Sequence, residues 1–252
     1  MSLSKQLWSY LPRFFTLSLG ACSIGWAVVA ISSYRAEANF PDFAGRMLLG
    51  DTFNARQLAL LKHRLDGAPT RSLRATALVD VAVIRQRLLD TKLTSHEAQS
   101  SDFVELDSAV TTALAEVPAS SFLWLSKYWL ESQRAAVSPD FEAKLLRMSY
   151  WSAPNDSWIA IKRNPLALKA LSTLPADLGE QALEEFTGLL RSRLYHEAAG
   201  ILGGSEPDVR RKLLSRLSGF SDVDRREFAK VIDLLGVDVV VPGVDRPSVR
   251  PY

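Results

Sequence analysis

The residues best suited to molecular recognition lie between positions 118 and 168, and most of them are tryptophans. The stretch SYWSAPNDSWIAIKRNPLAL, residues 149–168, contains Trp151, Trp158 and Arg163, and it follows Trp124 and Trp129. An indole ring offers a large apolar face with a polar tip, and a guanidinium packs well against such a face. These five residues are therefore candidates for a groove that binds a sugar or a peptide.

A purely structural interpretation of the same stretch competes with that groove. Tryptophan is mostly buried in folded proteins, so Trp151 and Trp158 would fill the wedge between two antiparallel helices. Arg163 would then pair with a carboxylate or with helix carbonyl groups. We favour this interpretation and keep the binding groove as its alternative.

The turn and the prolines set the expected helix boundaries in this stretch. The segment 153–156, Ala-Pro-Asn-Asp, interrupts the chain, and Asn155 or Asp156 is suited to cap the helix that follows. Pro165 lacks an N–H group, and its ring clashes with the carbonyl four residues earlier. We therefore expect this helix to kink or restart near Asn164.

The remaining titratable residues give no pattern that indicates catalysis. The sequence contains no nucleophile elbow, P-loop, dinucleotide fingerprint or zinc-ligand spacing. One cysteine and three dispersed histidines provide no metal-ligand cluster. Glu184 and Glu185 are adjacent on a predicted helix, where neighbouring side chains point apart, so we expect solvated faces or caps. The sequence predicts no catalytic residue, no metal site and no cofactor.

Charge is balanced outside the N-terminal segment. The 252 residues include 30 Lys and Arg and 28 Asp and Glu, for a formal net charge of +2. Lys5 and Arg13 are the only charged residues among the first 34, so the remainder holds 28 of each sign. A balanced domain lacks the basic surface that binds nucleic acid or an anionic membrane surface. We therefore expect no nucleic-acid partner.

Residues 14–34, FFTLSLGACSIGWAVVAISSY, form a run of 21 residues without a charge. A helix of this length extends about 31 Å, which is close to the roughly 30 Å of hydrocarbon in a bilayer. We therefore predict one transmembrane helix over 14–34, preceded by a short tail, residues 1–13.

Two alternatives use the same segment. A cleaved secretory signal would end at Ala36-Glu37-Ala38, but its apolar region normally has roughly 7–15 residues. A lipoprotein signal would use Leu19-Gly20-Ala21-Cys22, but the apolar run continues well past the cysteine. Basic residues flank both ends of the run, and the acidic Glu37 and Asp42 favour a cytoplasmic N-terminal tail. The rest of the chain would then lie outside the cytoplasmic membrane.

Beyond residue 35 the chain reads as a succession of short amphipathic helices. Leu58, Leu61 and Leu65 form one apolar stripe behind an Asn54 cap. A longer helix is predicted over residues 70–93. This periodicity continues towards the C-terminus and indicates helices throughout.

The clearest amphipathic helix spans positions 103–117, with 3-4-4-3 apolar spacing behind a Ser101 cap. About ten such helices with short connections predict an all-α fold of antiparallel helical hairpins. The rhythm over residues 101–190 is like that of tetratricopeptide repeats, although the strict 34-residue signature is absent. We predict one degenerate, tetratricopeptide-like domain over 35–236 and an extended or disordered tail over 237–252.

Three groups of residues between 118 and 168 form a pattern beyond helix periodicity. They are Pro118, Ser121, Trp124 and Leu125; then Leu146, Arg147, Ser149, Ala153, Pro154, Asn155 and Asp156; then Trp158, Ile159, Arg163, Leu166 and Ala167. This pattern resembles P-x-S-x-x-W-x-x-L, L-R-x-S with A/G-P-N-E/D, and W-I-x-x-(K/R)-R-x-x-L-A. Those motifs recur in a group of small bacterial proteins found beside exopolysaccharide and O-antigen polymerisation machinery.

The resemblance has two departures and a limited functional content. Trp124 falls one position earlier than in that pattern, and Pro165 interrupts the third motif. The similarity covers residues 10–220 in architecture and 118–168 in specific residues. Proteins of this group look like one membrane span followed by tetratricopeptide-like helices. Membership implies an accessory role in polysaccharide synthesis or export and brings no catalytic residues.

From the anchor, the hairpins and the resemblance we expect a non-catalytic protein of the bacterial inner membrane with a periplasmic helical domain. Its expected partners are the membrane and the membrane proteins that assemble a surface polysaccharide. One alternative is a glycan hydrolase or lyase that uses Glu131 or Glu142 near the tryptophans. Another is a scaffold for envelope complexes unrelated to polysaccharide.

Overall fold

The computed structural model describes residues 3–48, 50–67, 73–134 and 137–244. Within these ranges the chain forms twelve α-helices and no β-strand, which confirms the predicted all-α class. Residues 237–241, Val-Asp-Val-Val-Val, form neither helix nor strand.

The helices follow one another with short connections. They are α1 Leu3–Glu37, α2 Phe40–Leu48, α3 Ala55–Gly67, α4 Ala75–Thr94, α5 Ser100–Glu116, α6 Ser121–Ser132, α7 Pro139–Ser152, α8 Ser157–Lys169, α9 Ala176–Arg191, α10 Tyr195–Gly204, α11 Pro207–Arg216 and α12 Asp222–Leu234. They belong to two compact units, residues 1–117 with α1 to α5 and residues 118–252 with α6 to α12. The boundary comes directly before Pro118, where the helix predicted over 103–117 ends.

Helix α1 contains the run predicted to cross the membrane. Several of its apolar side chains are exposed, among them Leu17, Ile24 and Trp26 at 73%, 68% and 74%. In the part of the chain that the structure describes, no helix is recognised as long and apolar enough to cross a membrane. The helix begins at Leu3, so most of the predicted N-terminal tail is also helical.

An ion pair between the buried Glu37 and the exposed Arg74 holds the C-terminal end of α1. The Glu37 carboxylate is almost fully buried and accepts hydrogen bonds from the backbone N–H of Arg74, at 2.8 Å, and from its Nε. The guanidinium carbon of Arg74 also lies 4.2 Å from the centroid of the Tyr34 ring. Because Arg74 immediately precedes α4, these contacts tie the end of α1 to the start of α4.

The leucine stripe of α3 contributes to the interior of the first unit, as its spacing predicted. Leu58, Leu61 and Leu65 are all buried. Asn54 caps this helix, since its Oδ1 accepts a hydrogen bond from the Gln57 N–H at 2.9 Å. The predicted start of the next helix, residues 70–72, lies outside the described residues.

Helices α4 and α5 pack as an antiparallel pair. Lys92, near the end of α4, pairs with Asp102 at the start of α5, and Arg85, two turns earlier on α4, pairs with Glu105 further along α5. The N-cap of α5 is Gln99 rather than the predicted serine, because the Asp102 carboxylate accepts from the Gln99 N–H at 2.9 Å. This reciprocal capping box starts the helix earlier than the apolar spacing indicated.

Helices of the second unit share one apolar core. Leu146, Leu178 and Phe186 are completely buried within it. The segment after α12 belongs to the same core through Val239 and Val241, which are 7% and 3% exposed. The predicted tail therefore packs against the helices over its described part, and residues 245–252 lie outside the described residues.

Candidate functional site

The turn between α7 and α8 positions the residues that the sequence singled out. Asp156 is the N-cap residue of α8, although its side chain makes no capping hydrogen bond. The helix continues through Pro165 to its end, so the predicted restart near Asn164 does not occur. Arg163 and Ala167, on either side of the proline, are both fully buried. Their packing holds the helix together across the lost backbone hydrogen bond.

Arg163 lies in the interior of the second unit, with 0% of its surface exposed. Its Nη2 donates to Oε1 of Glu185 at 2.6 Å, and its Nε donates to the same oxygen at 3.0 Å. An unpaired guanidinium away from water would be strongly unfavourable, so the carboxylate is a requirement of burial. Arg163 therefore forms the ion pair of the structural interpretation and does not line an open groove.

The same guanidinium caps the C-terminal end of α7. Its Nη1 donates to the Ser149 carbonyl at 2.7 Å, and its Nη2 donates to the Ala153 carbonyl at 3.1 Å. The last carbonyls of an α-helix have no partner inside the helix and carry a partial negative charge. The Ser149 carbonyl also accepts the Ala153 N–H at 3.4 Å, so Arg163 adds to the capping of this helix end and joins α8 to it.

The Glu185 carboxylate is the centre of a hydrogen-bond network. Its Oε2 accepts from the Tyr150 hydroxyl at 2.9 Å and from Nδ2 of Asn164 at 3.3 Å. The Tyr150 ring lies against Arg163, with 4.0 Å between its centroid and the guanidinium carbon. Burial raises the pKa of Glu185, and the nearby Arg163 charge and the hydrogen bonds only partly offset this effect. Burial also raises the pKa of Tyr150, whose hydroxyl remains a donor.

Two serines bring α6 and α7 together beside this ion pair. The Ser121 hydroxyl donates to the Ser149 carbonyl at 2.8 Å, and the Ser149 hydroxyl donates to the Ser121 carbonyl at 3.1 Å. Because Ser121 begins α6 and Ser149 lies near the end of α7, these helices run antiparallel. The Nη1 atom of Arg163 lies 3.3 Å from each hydroxyl. Residues from all three sequence motifs therefore meet in one buried cluster.

We call this set, Ser121, Ser149, Tyr150, Arg163, Asn164 and Glu185, the Arg163 cluster. It joins four helices, α6 to α9, through polar contacts that are shielded from water. In such surroundings each hydrogen bond is strong and each unpaired group is unfavourable. One acceptor in the cluster, Oδ1 of Asn164, is buried without a protein partner.

Two of the four candidate tryptophans are half-buried on α6. Nε1 of Trp124 donates to the Pro118 carbonyl at 2.7 Å, which fixes the start of that helix. Trp129 lies further along the same helix and is also half-buried. Neither residue belongs to the Arg163 cluster.

The other two tryptophans lie at the surface. Trp151 is 74% exposed and Trp158 is 39% exposed. The expectation that both fill a wedge between helices is wrong for Trp151, because α7 directs the neighbouring Ser149 and Tyr150 inwards. Trp158 stacks on Phe122 of α6, with 6.1 Å between the ring centroids.

A cleft of about 340 Å³ opens beside the Arg163 cluster. Its walls come from α9, the first turn of α8 and the turn that precedes α8. Glu185 and Tyr150 reach it from the cluster, and none of the four tryptophans lines it. This volume is at the lower end of the range for small-molecule sites, roughly 300–1,000 Å³.

The two carboxylates considered for glycan cleavage occupy different surroundings. Glu131 is buried and pairs with Nη1 of Arg134, at 2.8 and 2.9 Å, and with Nζ of Lys127, at 3.2 Å. Glu142 is half-buried on α7. Among the described residues, no three His, Cys, Asp or Glu side chains are grouped so that they could hold a metal ion.

Glu185 is the residue that the sequence interpretation missed. Both carboxylates of the adjacent pair were expected to be solvated. The expectation is right for Glu184, whose side chain is 57% exposed, and wrong for Glu185, whose side chain is 6% exposed. The signal was its place in an apolar stripe. Leu178, Ala182 and Leu189 are buried on α9, and Glu185 continues their spacing.

No protein-family model, curated protein or solved structure matches this chain. Its candidate site consists of three features of its own geometry: the Arg163 cluster, the cleft beside it and the exposed side chain of Trp151.

Proposed function

We propose that this chain is a non-catalytic, membrane-anchored interaction protein with an accessory role in the assembly or export of a bacterial surface polysaccharide. The Arg163 cluster is the observation that best supports it. The polar residues shared by the three motifs bind one another and helix carbonyls, so their role is to join helices. Partners therefore bind to exposed aromatic and polar side chains outside this cluster.

The proposed contact surface for a partner protein centres on Trp151. Tryptophan is enriched among the residues that dominate the binding energy of interfaces. A tryptophan residue that is 74% exposed on a well-packed helix is available for such a contact. The expected partner is a membrane protein of the polysaccharide-assembly machinery, in line with the sequence resemblance.

The proposed anchor is the segment 14–34 of α1. No described helix is recognised as a span, so the support is the uncharged run of 21 residues and its length. Leu17, Ile24 and Trp26 are exposed along it, an unfavourable arrangement in water. We place the protein in the inner membrane with its helical units on the periplasmic side.

Deleting the gene and measuring exopolysaccharide and lipopolysaccharide tests the proposal. We expect an altered amount or chain length that a wild-type copy restores. A copy carrying Trp151→Ala is expected to reach the membrane but not to restore the polymer. Unchanged amount and chain length in the deletion strain would refute the proposed function.

Fusions at the C-terminus test the sidedness separately. Alkaline phosphatase is active only in the periplasm, whereas green fluorescent protein folds poorly there after export. We expect an active phosphatase fusion and a dark fluorescent fusion. The opposite result would place the helical units in the cytoplasm.

A glycan-cleaving enzyme is the second candidate, and one observation favours it. Glu185 reaches the cleft, and burial raises its pKa, as a general acid requires. Incubating the purified protein with surface polysaccharides and measuring new reducing ends tests this candidate. Cleavage that disappears in Glu185→Gln would replace the non-catalytic proposal. A scaffold unrelated to polysaccharide would instead co-purify with other envelope proteins.

A further inference from the structure

The cleft beside the Arg163 cluster is built mainly by one face of α9. That helix contributes Gln181, Glu184, Glu185, Gly188 and Leu189, whose spacing of three and four residues defines a single face. The opposite wall comes from the start of α8 and the preceding turn. The cleft therefore runs along α9, close to the site where α8 begins.

Gly188 keeps this cleft open. A Cβ atom placed on Gly188 would meet no other atom within 4 Å, so packing does not require a glycine there. Glycine inside a helix is unfavourable by about 1 kcal/mol relative to alanine. The missing side chain instead enlarges the cleft, which Gly188 lines together with the small Ala160 of α8.

The charges around the cleft cancel in pairs. Glu184 pairs with Arg191 two turns later on α9, and both side chains are well exposed. Glu185 pairs with Arg163 behind the wall. The other polar side chains of the cleft are neutral: Tyr150, Asn155, Ser157, Gln181 and Ser192. A charged ligand would find no uncompensated partner here.

The side chains of the cleft match hydroxyl groups better than apolar side chains. A hydroxyl both donates and accepts hydrogen bonds, and the amides, hydroxyls and paired ions of the cleft offer both kinds of partner. Planar amide, carboxylate and guanidinium groups can also bind two adjacent hydroxyls at once. A peptide bound by a helical groove inserts apolar anchors into continuous apolar walls, whereas the sizeable apolar groups here, Leu189, Pro154 and the Tyr150 ring, share the lining with amide, hydroxyl and charged side chains.

We propose that this cleft binds a short, uncharged saccharide segment, of about one or two sugar units for a site of this volume. The inference deepens the proposed function and rests on it, since it gives the accessory protein its own contact with the polymer. The uncharged amide groups of Asn155 and Gln181 supply hydrogen bonds from opposite walls. The Glu184–Arg191 pair supplies charged donors and acceptors at the rim.

Saturation-transfer NMR tests the inference on the full chain, solubilised in a detergent without a sugar headgroup. The probes are maltotriose, cellotriose and chitotriose, with a trimer of galacturonic acid as the charged comparison and an uncharged acetylated pentapeptide amide as the peptide comparison. We expect saturable transfer to at least one neutral saccharide and none to the other two probes.

Variants at glycine positions locate the binding. Gly188→Phe adds a ring to the wall of the cleft, where its Cβ meets nothing within 4 Å, and is expected to weaken saccharide binding at least tenfold. Gly188→Ala strengthens the helix and retains binding. Gly200→Phe is the control, because Gly200 likewise lies inside a helix and a Cβ placed there likewise meets nothing within 4 Å, while Gly200 does not line the cleft.

The inference is overturned if no neutral saccharide shows saturable transfer, or if Gly188→Phe binds as tightly as the wild type. Binding of only the galacturonate trimer or only the peptide would overturn it as well. A deletion strain with altered polysaccharide together with a protein that binds no saccharide would leave the proposed function standing. Saccharide binding without a polysaccharide phenotype would leave the cleft as a saccharide site and refute the proposed function.

Discussion

The guanidinium of Arg163 lies 2.6 Å from the carboxylate of Glu185, and their side chains are 0% and 6% exposed. These residues are 22 positions apart, on consecutive helices, and each also forms a hydrogen bond with α7, Arg163 with the Ser149 carbonyl and Glu185 with the Tyr150 hydroxyl. The pair forms only when α7, α8 and α9 are docked. Breaking one half would leave a buried charge without its partner.

Arg163→Met is therefore expected to lower the free energy of unfolding by about 3–5 kcal/mol. The double variant Arg163→Met/Glu185→Leu should recover part of that loss, because no buried charge remains. Recovery is incomplete because the α7 carbonyls lose their donor. Urea unfolding followed by tryptophan fluorescence measures all three proteins. Equal stability of the wild type and Arg163→Met would show that the pair is not formed.

Tyr150→Phe removes one hydrogen bond to Glu185 and leaves the ring in place. We expect a loss of about 1.5–3 kcal/mol in the free energy of unfolding, as for hydrogen bonds to charged groups. Tyr195→Phe is the matched control, since its hydroxyl also contacts a carboxylate, Asp224, but at 3.2 Å and with partial exposure. A loss in the control as large as that in Tyr150→Phe would contradict the importance of burial.

Asp102 gives the first unit a defined response to acid. Burial would raise its pKa, but the hydrogen bonds from Lys92 and the Gln99 N–H outweigh burial and lower it. A carboxyl group whose pKa is lower in the folded state than in the unfolded state stabilises the fold at pH values above its ordinary pKa of 3.8. That contribution is lost as the pH falls through the folded-state value.

We therefore expect the free energy of unfolding to decrease as the pH falls below about 3.8, and to decrease less steeply in Asp102→Asn. Urea midpoints between pH 6 and pH 2.5 measure both slopes. Asp208→Asn, at an exposed position on α11, controls for the loss of one carboxylate. A variant slope equal to that of the wild type would show that Asp102 does not contribute.

Trp151 and Trp158 are expected to separate binding from stability. Trp151→Ala should change the free energy of unfolding by no more than about 0.5 kcal/mol, because its ring is exposed. Trp158→Ala removes the stack on Phe122 and should destabilise by more, since such aromatic pairs contribute about 0.5–1.5 kcal/mol beyond their buried area. Thermal unfolding measures both.

Cross-linking in cells measures how the Trp151→Ala substitution affects the binding of partner proteins. We expect Trp151→Ala to reduce the yield of cross-linked partner protein while the variant accumulates normally. An undiminished yield would move the proposed contact surface elsewhere on the second unit.

The anchor is tested by placing charges in the middle of segment 14–34. Each Lys at the centre of a membrane helix opposes insertion by about 2.5–3.5 kcal/mol. We expect Ile24→Lys/Val28→Lys to shift the protein from the carbonate-resistant membrane pellet to the supernatant. Ile24→Leu/Val28→Leu is the control and should stay in the pellet. A lysine variant that remains in the pellet would argue against the anchor.

Local features of the sequence predicted much of the secondary structure. The stripe of Leu58, Leu61 and Leu65 faces the interior, and Asn54 caps its helix, because both depend on residues within one or two turns. The need of Arg163 for a carboxylate or for helix carbonyls was also predictable, since a cation near a helix end has few other buried partners. The sequence determined these features through helix periodicity and capping.

Only the tertiary structure decided which carboxylate and which carbonyls Arg163 would bind, and that Trp151 would face solvent. Glu185 was adjacent to the exposed Glu184 in the sequence, and one residue along a helix turns a side chain by about 100°. Which of the two points inwards depends on how α9 docks against α8. The cleft beside Gly188 arises in the same way, from the packing of distant segments, which helix periodicity alone does not specify.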